Sequence, residues 1–233
     1  MRRPTVLRNA WFATRQELGS HRLSYRLLAL APAPYARVPV GPGTDVCIDG
    51  FPRSANTFAV YAFAAANPSL QLAHHMHAPM QLLSAARRDI PCALLVRDPL
   101  GTLTSLCVSV EGELSATLAY RAYIRFYRRV LPIAREIAVC AFDDVVADPT
   151  TVARRLNAKY GQSFSARRVE SERDLRDQIA AEHPTGARRK LGLTVPHPDK
   201  ERLKPATRTR LREHRLLRPA VAVHRELVQQ AAT

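Results

Sequence analysis

A short polar segment near the start of the chain gathers side chains that can bind an anion. Arg53, Ser54, Asn56 and Thr57 supply four hydrogen-bond donors within five positions. A β-type run, 45–49, precedes them and an Ala-rich run follows, so the segment is expected to link a strand to a helix. Such a loop presents main-chain N–H groups and a helix N-terminus, both of which favour phosphate. The alternative is an ordinary strand–helix turn with a capped helix.

The segment is not a Walker A loop. It has no GxxxxGK[ST] pattern, and no lysine precedes Ser54. The missing lysine argues against a nucleoside triphosphatase or an ordinary kinase with a magnesium site.

Three histidines form the second group of reactive side chains. His74, His75 and His77 follow a strand candidate at 70–73 and precede Pro79. Alternation along an extended segment would place His75 and His77 on one face. Three close imidazoles suggest a metal site. However, no nearby acidic residue or cysteine completes a ligand set, so no metal is expected.

Strand and helix candidates alternate through the middle of the chain. Strands are expected at 45–49, 70–73, 92–96 and 137–142. Helices are expected over 58–66, 79–88, 99–109, 114–130 and 149–160, the last ending at Gly161. The run 92–96 is apolar on both faces, as in a central parallel strand. This alternation predicts an α/β fold of three layers, with a mostly parallel central sheet flanked by helices.

The two ends of the chain differ from this middle part. Residues 1–44 are expected to form an N-terminal helical extension, with one or two helices over 6–31, and a Pro-rich connector. Residues 45–233 are predicted to form one α/β domain, whose C-terminal part, 162–233, is basic. In that part we expect loops around Pro196 to Pro198 and a last helical region over about 206–230.

Composition limits the class of protein and its partners. The chain has 233 residues, of which 46% are hydrophobic, too many for a disordered protein. A formal charge of +15 favours an anionic partner: nucleic acid, an anionic lipid surface or a multiply phosphorylated small molecule. The longest purely apolar run, 58–66, is too short to span a membrane. Four cysteines without a CxxC pair indicate buried thiols in a reducing, cytoplasmic compartment.

The polar segment resembles a known donor-binding motif. The sequence PRSANTF at 52–58 is similar to the 5′-phosphosulfate loop, written PKSGTTW or PRSGNT, of bacterial-type sulfotransferases that use 3′-phosphoadenosine 5′-phosphosulfate (PAPS). The resemblance implies that Arg53 contacts the 5′-phosphate and the bridging oxygen. It also implies that Ser54, Asn56 and Thr57 are phosphate donors.

Two positions of this loop carry further expectations. Phe58 falls on the aromatic position that stacks near adenine in the family. Ala55 stands where the family usually has glycine, so this position also belongs to the cofactor-binding set. A Cβ is expected to be tolerated there only if φ is negative.

A second segment resembles the family's 3′-phosphate motif. Arg97 follows the strand 92–96, and Ser105 lies eight residues later on the next helix. The resemblance implies that a guanidinium fork and a hydroxyl bind one phosphate group. Alone, such an arginine could equally pair with a helix carboxylate. The combination with the first loop is specific.

The histidine segment resembles the family's KTHLP motif. Alignment on Pro79 places His77 on the catalytic base and His75 on the preceding lysine. A neutral imidazole would take the proton from an acceptor hydroxyl as that hydroxyl attacks sulfur. A substrate-positioning or structural role for His77 stays open. His75 is the second choice, as a donor to the transferring sulfuryl oxygens, and His74 is expected to point away.

Two further similarities are weaker. Arg188, Arg189 and Lys190 resemble the RKG element that closes over the 3′-phosphate, although a solvated basic loop fits equally well; Arg202 is another possible contact. Residues 141–149 resemble the family's strand end and turn. We interpret their acidic side chains as structural caps.

The resemblance implies a P-loop-like sulfotransferase fold and a PAPS-dependent, metal-free activity. The reaction would be in-line transfer of a sulfuryl group to a hydroxyl, or to an amine, of a small-molecule, glycan or lipid acceptor. A phosphate-loop small-molecule kinase stays open, as does a non-catalytic relative that binds nucleotide or nucleic acid. Nucleic acid is not the expected partner, whereas the basic N-terminal helix could approach an anionic membrane.

Overall fold

Four short strands form one parallel sheet. They are β1 (Val46–Gly50), β2 (Leu72–His74), β3 (Cys92–Val96) and β4 (Ala138–Ala141), in the spatial order β2-β1-β3-β4. Each neighbouring pair runs parallel, with Ile48 opposite Ala93 between β1 and β3. The computed structural model describes residues 5–30, 37–110, 114–167 and 198–232 of the chain. The predicted parallel α/β sheet is confirmed.

Helices surround this sheet. Those before β4 are α1 (Thr5–Leu18), α2 (Arg22–Leu30), α3 (Asn56–Ala66), α4 (Pro79–Ala86), α5 (Pro99–Ser109) and α6 (Ala116–Val130), followed by a 3-10 turn, Leu131–Ile133. Those after it are α7 (Phe142–Ala147), α8 (Thr151–Tyr160), α9 (Pro198–Arg212) and α10 (Leu217–Ala232). Within the described residues, no helix has the length and apolar character needed to cross a bilayer.

Alternate residues of each strand enter two separate hydrophobic cores. On one face, Cys92, Leu94 and Val96 of β3 pack with α4, α5, α6 and α10. On the other face, Ala93 and Leu95 pack with α3 and α8. This two-residue alternation is the geometry of a strand buried on both sides. The sheet is therefore the middle of three layers.

The centre of the sheet requires a glycine at the end of β1. A Cβ on Gly50 would lie 2.4 Å from the main-chain oxygen of Leu95 on β3. No side chain fits at that distance, so Gly50 lets the two central strands stay in register where the functional loops begin.

The N-terminal helices are packed against the histidine segment. A Cβ on Gly19, in the α1–α2 turn, would lie 2.8 Å from the Cβ of Ala78. Arg15 donates to the main-chain oxygen of Met76 over 3.4 Å, and Tyr25 donates to Gln81 of α4. The predicted extension thus contacts the segment that carries the three histidines.

The structure corrects two details of the secondary-structure prediction. The helix α9 begins at Pro198, where a loop was predicted, and contains Pro205 in its interior. A proline suits the first helical position because its missing N–H is not needed there. A short helix, α7, follows β4 directly and ends before Asp148. The Asp148 carboxylate then accepts from the N–H of Thr150 over 3.0 Å.

Candidate functional site

The three segments that carry the predicted site residues meet at the carboxyl edge of the sheet. The loop 51–55 follows β1, His75 and His77 follow β2, and Arg97 follows β3. His74 is the last residue of β2. The chain moves from β1 to β2 on one side and returns to β3 on the other. The carboxyl ends of β1 and β3 therefore flank a topological switch point, where open α/β sheets form their ligand-binding crevice.

The loop after β1 has a left-handed backbone at two positions. Arg53 has φ 74° and Ala55 has φ 66°. The expectation that Ala55 requires a negative φ is therefore wrong: this residue takes up the left-handed conformation that favours glycine. Ala55 is the N-cap residue of α3 and makes no side-chain hydrogen bond to the first turn, so the main-chain N–H groups of that turn are not capped by this residue.

The polar side chains of the loop face different directions. The Asn56 amide donates to the main-chain oxygen of Phe51 over 3.0 Å, while its Oδ1 is buried without a hydrogen-bond partner among the described residues. The buried Ser54 hydroxyl lies 3.3 Å from the hydroxyl of Tyr127 on α6. That contact engages the Ser54 hydroxyl in the core, and its role as a phosphate donor stays a prediction.

Arg53, Arg97 and Ser105 form one hydrogen-bonded cluster. Arg53 Nε donates to Ser105 Oγ over 3.0 Å, and Arg97 Nη1 donates to the main-chain oxygen of Arg53 over 3.1 Å. Residues separated by 44 and 52 positions in the chain are thus in contact. The two segments that resemble phosphate-binding motifs lie side by side.

The cluster of Arg53, Arg97 and Ser105 brings two positive charges together in half-buried surroundings. Burial, and then the charge of Arg97, lowers the pKa of Arg53 to about 10. Burial also lowers the pKa of Arg97; Asp98 and Asp143 oppose this shift, and Arg208 of α9 adds to it. The Arg97 guanidinium stacks on the Phe142 ring, 3.8 Å from its centroid. An anion bound here would relieve the repulsion between the arginines.

Arg97 retains an unused donor. Its Nε is buried and makes no hydrogen bond to any described residue. The main-chain oxygen of the same residue accepts from the Tyr123 hydroxyl over 2.7 Å, so the backbone at the end of β3 is held in place. A buried guanidinium N–H without a partner is costly unless a ligand accepts from it.

His77 is oriented by the end of β1. Its Nδ1 lies 2.9 Å from the main-chain oxygen of Gly50 and 3.3 Å from Oδ1 of the buried Asp49. A carbonyl oxygen only accepts, so Nδ1 carries a proton and Nε2 of the neutral ring holds the lone pair. These contacts therefore set the tautomer and the orientation of the His77 ring.

Asp49 is the site residue that the sequence analysis missed. Its carboxylate accepts from the N–H groups of Gly50 at 2.8 Å, Met76 at 2.9 Å and His77 at 3.1 Å. It thereby ties the end of β1 to the histidine segment. A charged residue inside an apolar strand is the available signal, because a carboxylate is rarely buried without partners.

The rings of His74 and His75 lie in sequence beside the ring of His77, each in contact with the next. His75 Nε2 lies 3.1 Å from Thr57 Oγ1 in the first turn of α3, and its Nδ1 lies 2.7 Å from Nδ1 of His74. The expectation that His74 points away is therefore wrong. In a hydrogen bond between these two Nδ1 atoms, one nitrogen donates and the other accepts.

Backbone strain is concentrated in this site. Among the described residues, five that are not glycine have positive φ, and four of these are Arg53, Ala55, His75 and His77. Such conformations cost about 1–3 kcal/mol each and persist only where the surroundings impose them. Their grouping in the two loops that face each other is typical of a functional site.

The remaining predicted residues divide into three groups. Phe58, on α3, is partly buried against the core and against Ala62. Arg202 is exposed on α9. Arg188, Arg189 and Lys190 lie outside the described residues. No group of three or more histidine, cysteine or acidic side chains within the described ranges could hold a metal ion.

Comparison with known proteins gives this chain no assigned relative. No family model matches it, and neither a curated protein nor a solved structure shows significant similarity to it.

Proposed function

We propose that the protein is a PAPS-dependent sulfotransferase with a P-loop-like sulfotransferase fold. The observation that carries the proposal is the hydrogen-bonded cluster of Arg53, Arg97 and Ser105 close in the chain to the N-terminus of α3, where Ala55 supplies no side-chain cap. Two guanidinium groups and a helix N-terminus suit a ligand with two separate phosphate-like groups. The PRSANTF loop and the Arg97–Ser105 spacing support the same ligand.

The donor-binding residues have distinct tasks. Arg53 and the first-turn N–H groups of α3 bind the 5′-phosphosulfate, while Arg97 and Ser105 bind the 3′-phosphate. The donor supplies an activated sulfuryl group: the acceptor oxygen bonds to sulfur as the bond from sulfur to the bridging oxygen breaks. The Arg53 guanidinium stabilises the negative charge that develops on that bridging oxygen.

His77 removes the proton of the acceptor. Its Nδ1–H is committed to the Gly50 oxygen, so Nε2 takes the hydroxyl proton as the acceptor attacks. The imidazolium that forms is stabilised by the Asp49 carboxylate, 3.3 Å from Nδ1. The products are a sulfate ester, 3′,5′-adenosine bisphosphate and a proton, which His77 releases to solvent.

Calorimetric titration tests the donor site without knowledge of the acceptor. We expect 3′,5′-adenosine bisphosphate to bind more tightly than AMP or ATP–magnesium. This preference should be lost in Arg97→Ala and Arg53→Ala and kept in Arg128→Ala, an exposed arginine on α6. Equal or absent binding of the bisphosphate would refute the proposal, and selective binding of ATP–magnesium would indicate a kinase.

The role of His77 as the base is tested separately from the binding of the bisphosphate. His77→Asn should bind the bisphosphate like the unmodified chain, while the transfer of sulfuryl groups from PAPS to an acceptor, or slowly to water, falls at least about a hundredfold. Unchanged transfer in a variant that still binds the bisphosphate would assign the base elsewhere.

A further inference from the structure

Exposed apolar side chains are concentrated on the two N-terminal helices. Of eight large hydrophobic side chains exposed among the described residues, five are on α1 and α2, with exposed fractions from 50% to 79%: Val6, Leu7, Trp11, Leu23 and Leu27. The other three, Val38, Leu203 and Val228, are isolated from one another in the chain and less exposed, at 39–44%. Single exposed apolar residues are ordinary, whereas several on two neighbouring helices favour an interaction surface.

Each of the two helices exposes apolar side chains on one side. Leu7 and Trp11 on α1 are four residues apart, as are Leu23 and Leu27 on α2, so each pair lies on one side of its helix. The other side of α2 faces the protein interior, where Tyr25 and the other inward residues are buried against the histidine segment. The exposed apolar side chains are therefore not required for folding of this part of the chain.

Basic side chains border the apolar ones. Arg22 and Arg26 are exposed on α2 next to the leucines, and residues 5–30 contain four arginines but one glutamate. That glutamate, Glu17, pairs with Arg125 of α6. The outward face of α6 beside it carries three more exposed arginines, Arg121, Arg128 and Arg129. The surface thus combines apolar side chains with a strong excess of positive charge.

We propose that α1 and α2 form a docking surface for an anionic phospholipid membrane. The leucines and Trp11 enter the boundary between headgroups and acyl chains, while the arginines bind the headgroup phosphates. A second copy of this chain is the less suitable occupant. A symmetric pair would place two sets of arginines against each other, whereas the lipid supplies the opposite charge.

The chain contains its own reporter for this contact. Trp11 is its one tryptophan and is 50% exposed. With vesicles of equal parts phosphatidylglycerol and phosphatidylcholine, we expect a blue shift of Trp11 emission, protection from acrylamide quenching and co-sedimentation. Pure phosphatidylcholine vesicles should give little of these effects, and added salt should weaken them.

Matched variants assign the binding to this surface. The double substitution Leu23→Ser, Leu27→Ser should weaken vesicle binding about tenfold or more, because two exposed apolar side chains no longer enter the lipid. Arg22→Gln with Arg26→Gln should remove most of the preference for phosphatidylglycerol. The control Leu203→Ser, an exposed leucine on α9, should bind as before. All the changed side chains are exposed, so thermal unfolding should be unaffected.

Three results would overturn the proposal. One is no co-sedimentation with either vesicle. Another is co-sedimentation without a change in Trp11 emission, which would place the contact on a different surface. The third is a blue shift that depends on protein concentration without vesicles, which would show that a second copy of the chain covers the helices.

Discussion

Arg97 Nη1 donates a hydrogen bond to the main-chain oxygen of Arg53, 3.1 Å away, so the residue that follows β3 supports the loop that follows β1. Arg53 in turn donates from Nε to Ser105 on α5. The same guanidinium groups that are proposed to bind the donor therefore also hold the site together. The binding of the donor by these groups and their support of the loop can be distinguished with two ligands that differ by a single phosphate.

Arg97→Lys should weaken binding of 3′,5′-adenosine bisphosphate at least about tenfold, because a point charge replaces the planar fork. AMP, which lacks the 3′-phosphate, should be affected much less. Calorimetry with both nucleotides measures the difference. An equal loss for the two would show that Arg97 acts by supporting the Arg53 loop and not by contacting the 3′-phosphate.

Ala55→Gly should raise the free energy of unfolding by about 0.5–1 kcal/mol, because glycine has no Cβ to disfavour the left-handed conformation at this position. Ala65→Gly, on the exposed side of α3, is the control and should lower it by about 1 kcal/mol. Urea unfolding of both variants tests this. Destabilisation of the two by similar amounts would contradict the left-handed conformation at position 55.

Gly50→Ala should lower the free energy of unfolding by more than about 3 kcal/mol, because the new Cβ has no space beside the Leu95 oxygen on the paired strand. Gly41→Ala is the matched control, since the nearest atom to its Cβ would be 4.0 Å away. Its stability should change little. Thermal and urea unfolding measure both, and a tolerated Gly50→Ala would refute the close approach of β1 to β3.

Asp49→Asn should lower sulfuryl transfer at least about a hundredfold, because the amide no longer stabilises the His77 imidazolium. It should also cost about 1–3 kcal/mol of stability, since an amide NH₂ then faces main-chain N–H groups. The discriminating measurement is the pH dependence of kcat/KM. A merely structural Asp49 would leave that pH profile unmoved in the folded variant.

Acidification below about pH 6.5 should destabilise the protein, in part through His74. Burial lowers the pKa of His74; Asp49 opposes this shift and His77 adds to it. Between the ordinary pKa and the lowered one, the unfolded chain binds a proton that the folded chain does not, so stability falls as pH falls.

His74→Gln should make the loss of stability from pH 7 to pH 5 smaller, as followed by urea unfolding at each pH. Burial also lowers the pKa of His224 on α10, so His224→Gln should have an effect of the same sign. An unchanged slope in His74→Gln would contradict the prediction.

The sequence by itself determined the architecture. The fully apolar run at 92–96 and the alternation of strand and helix patterns were enough for the parallel sheet, because burial on both faces leaves a direct mark on composition. Strand limits agree with the structure to within two residues. The loop 51–57 and Arg97 could be singled out because donor side chains at the carboxyl end of a strand have a local pattern.

Tertiary structure decided how these residues act together. Asp49 orients His77, and Ser54 turns to Tyr127, through contacts between segments 28 and 73 positions apart, which no local pattern encodes. The left-handed backbone of Ala55 is likewise imposed by the packing around the loop, against the preference of its own side chain. Local pattern fixes which elements form, but only packing fixes which atoms they bring within hydrogen-bonding distance.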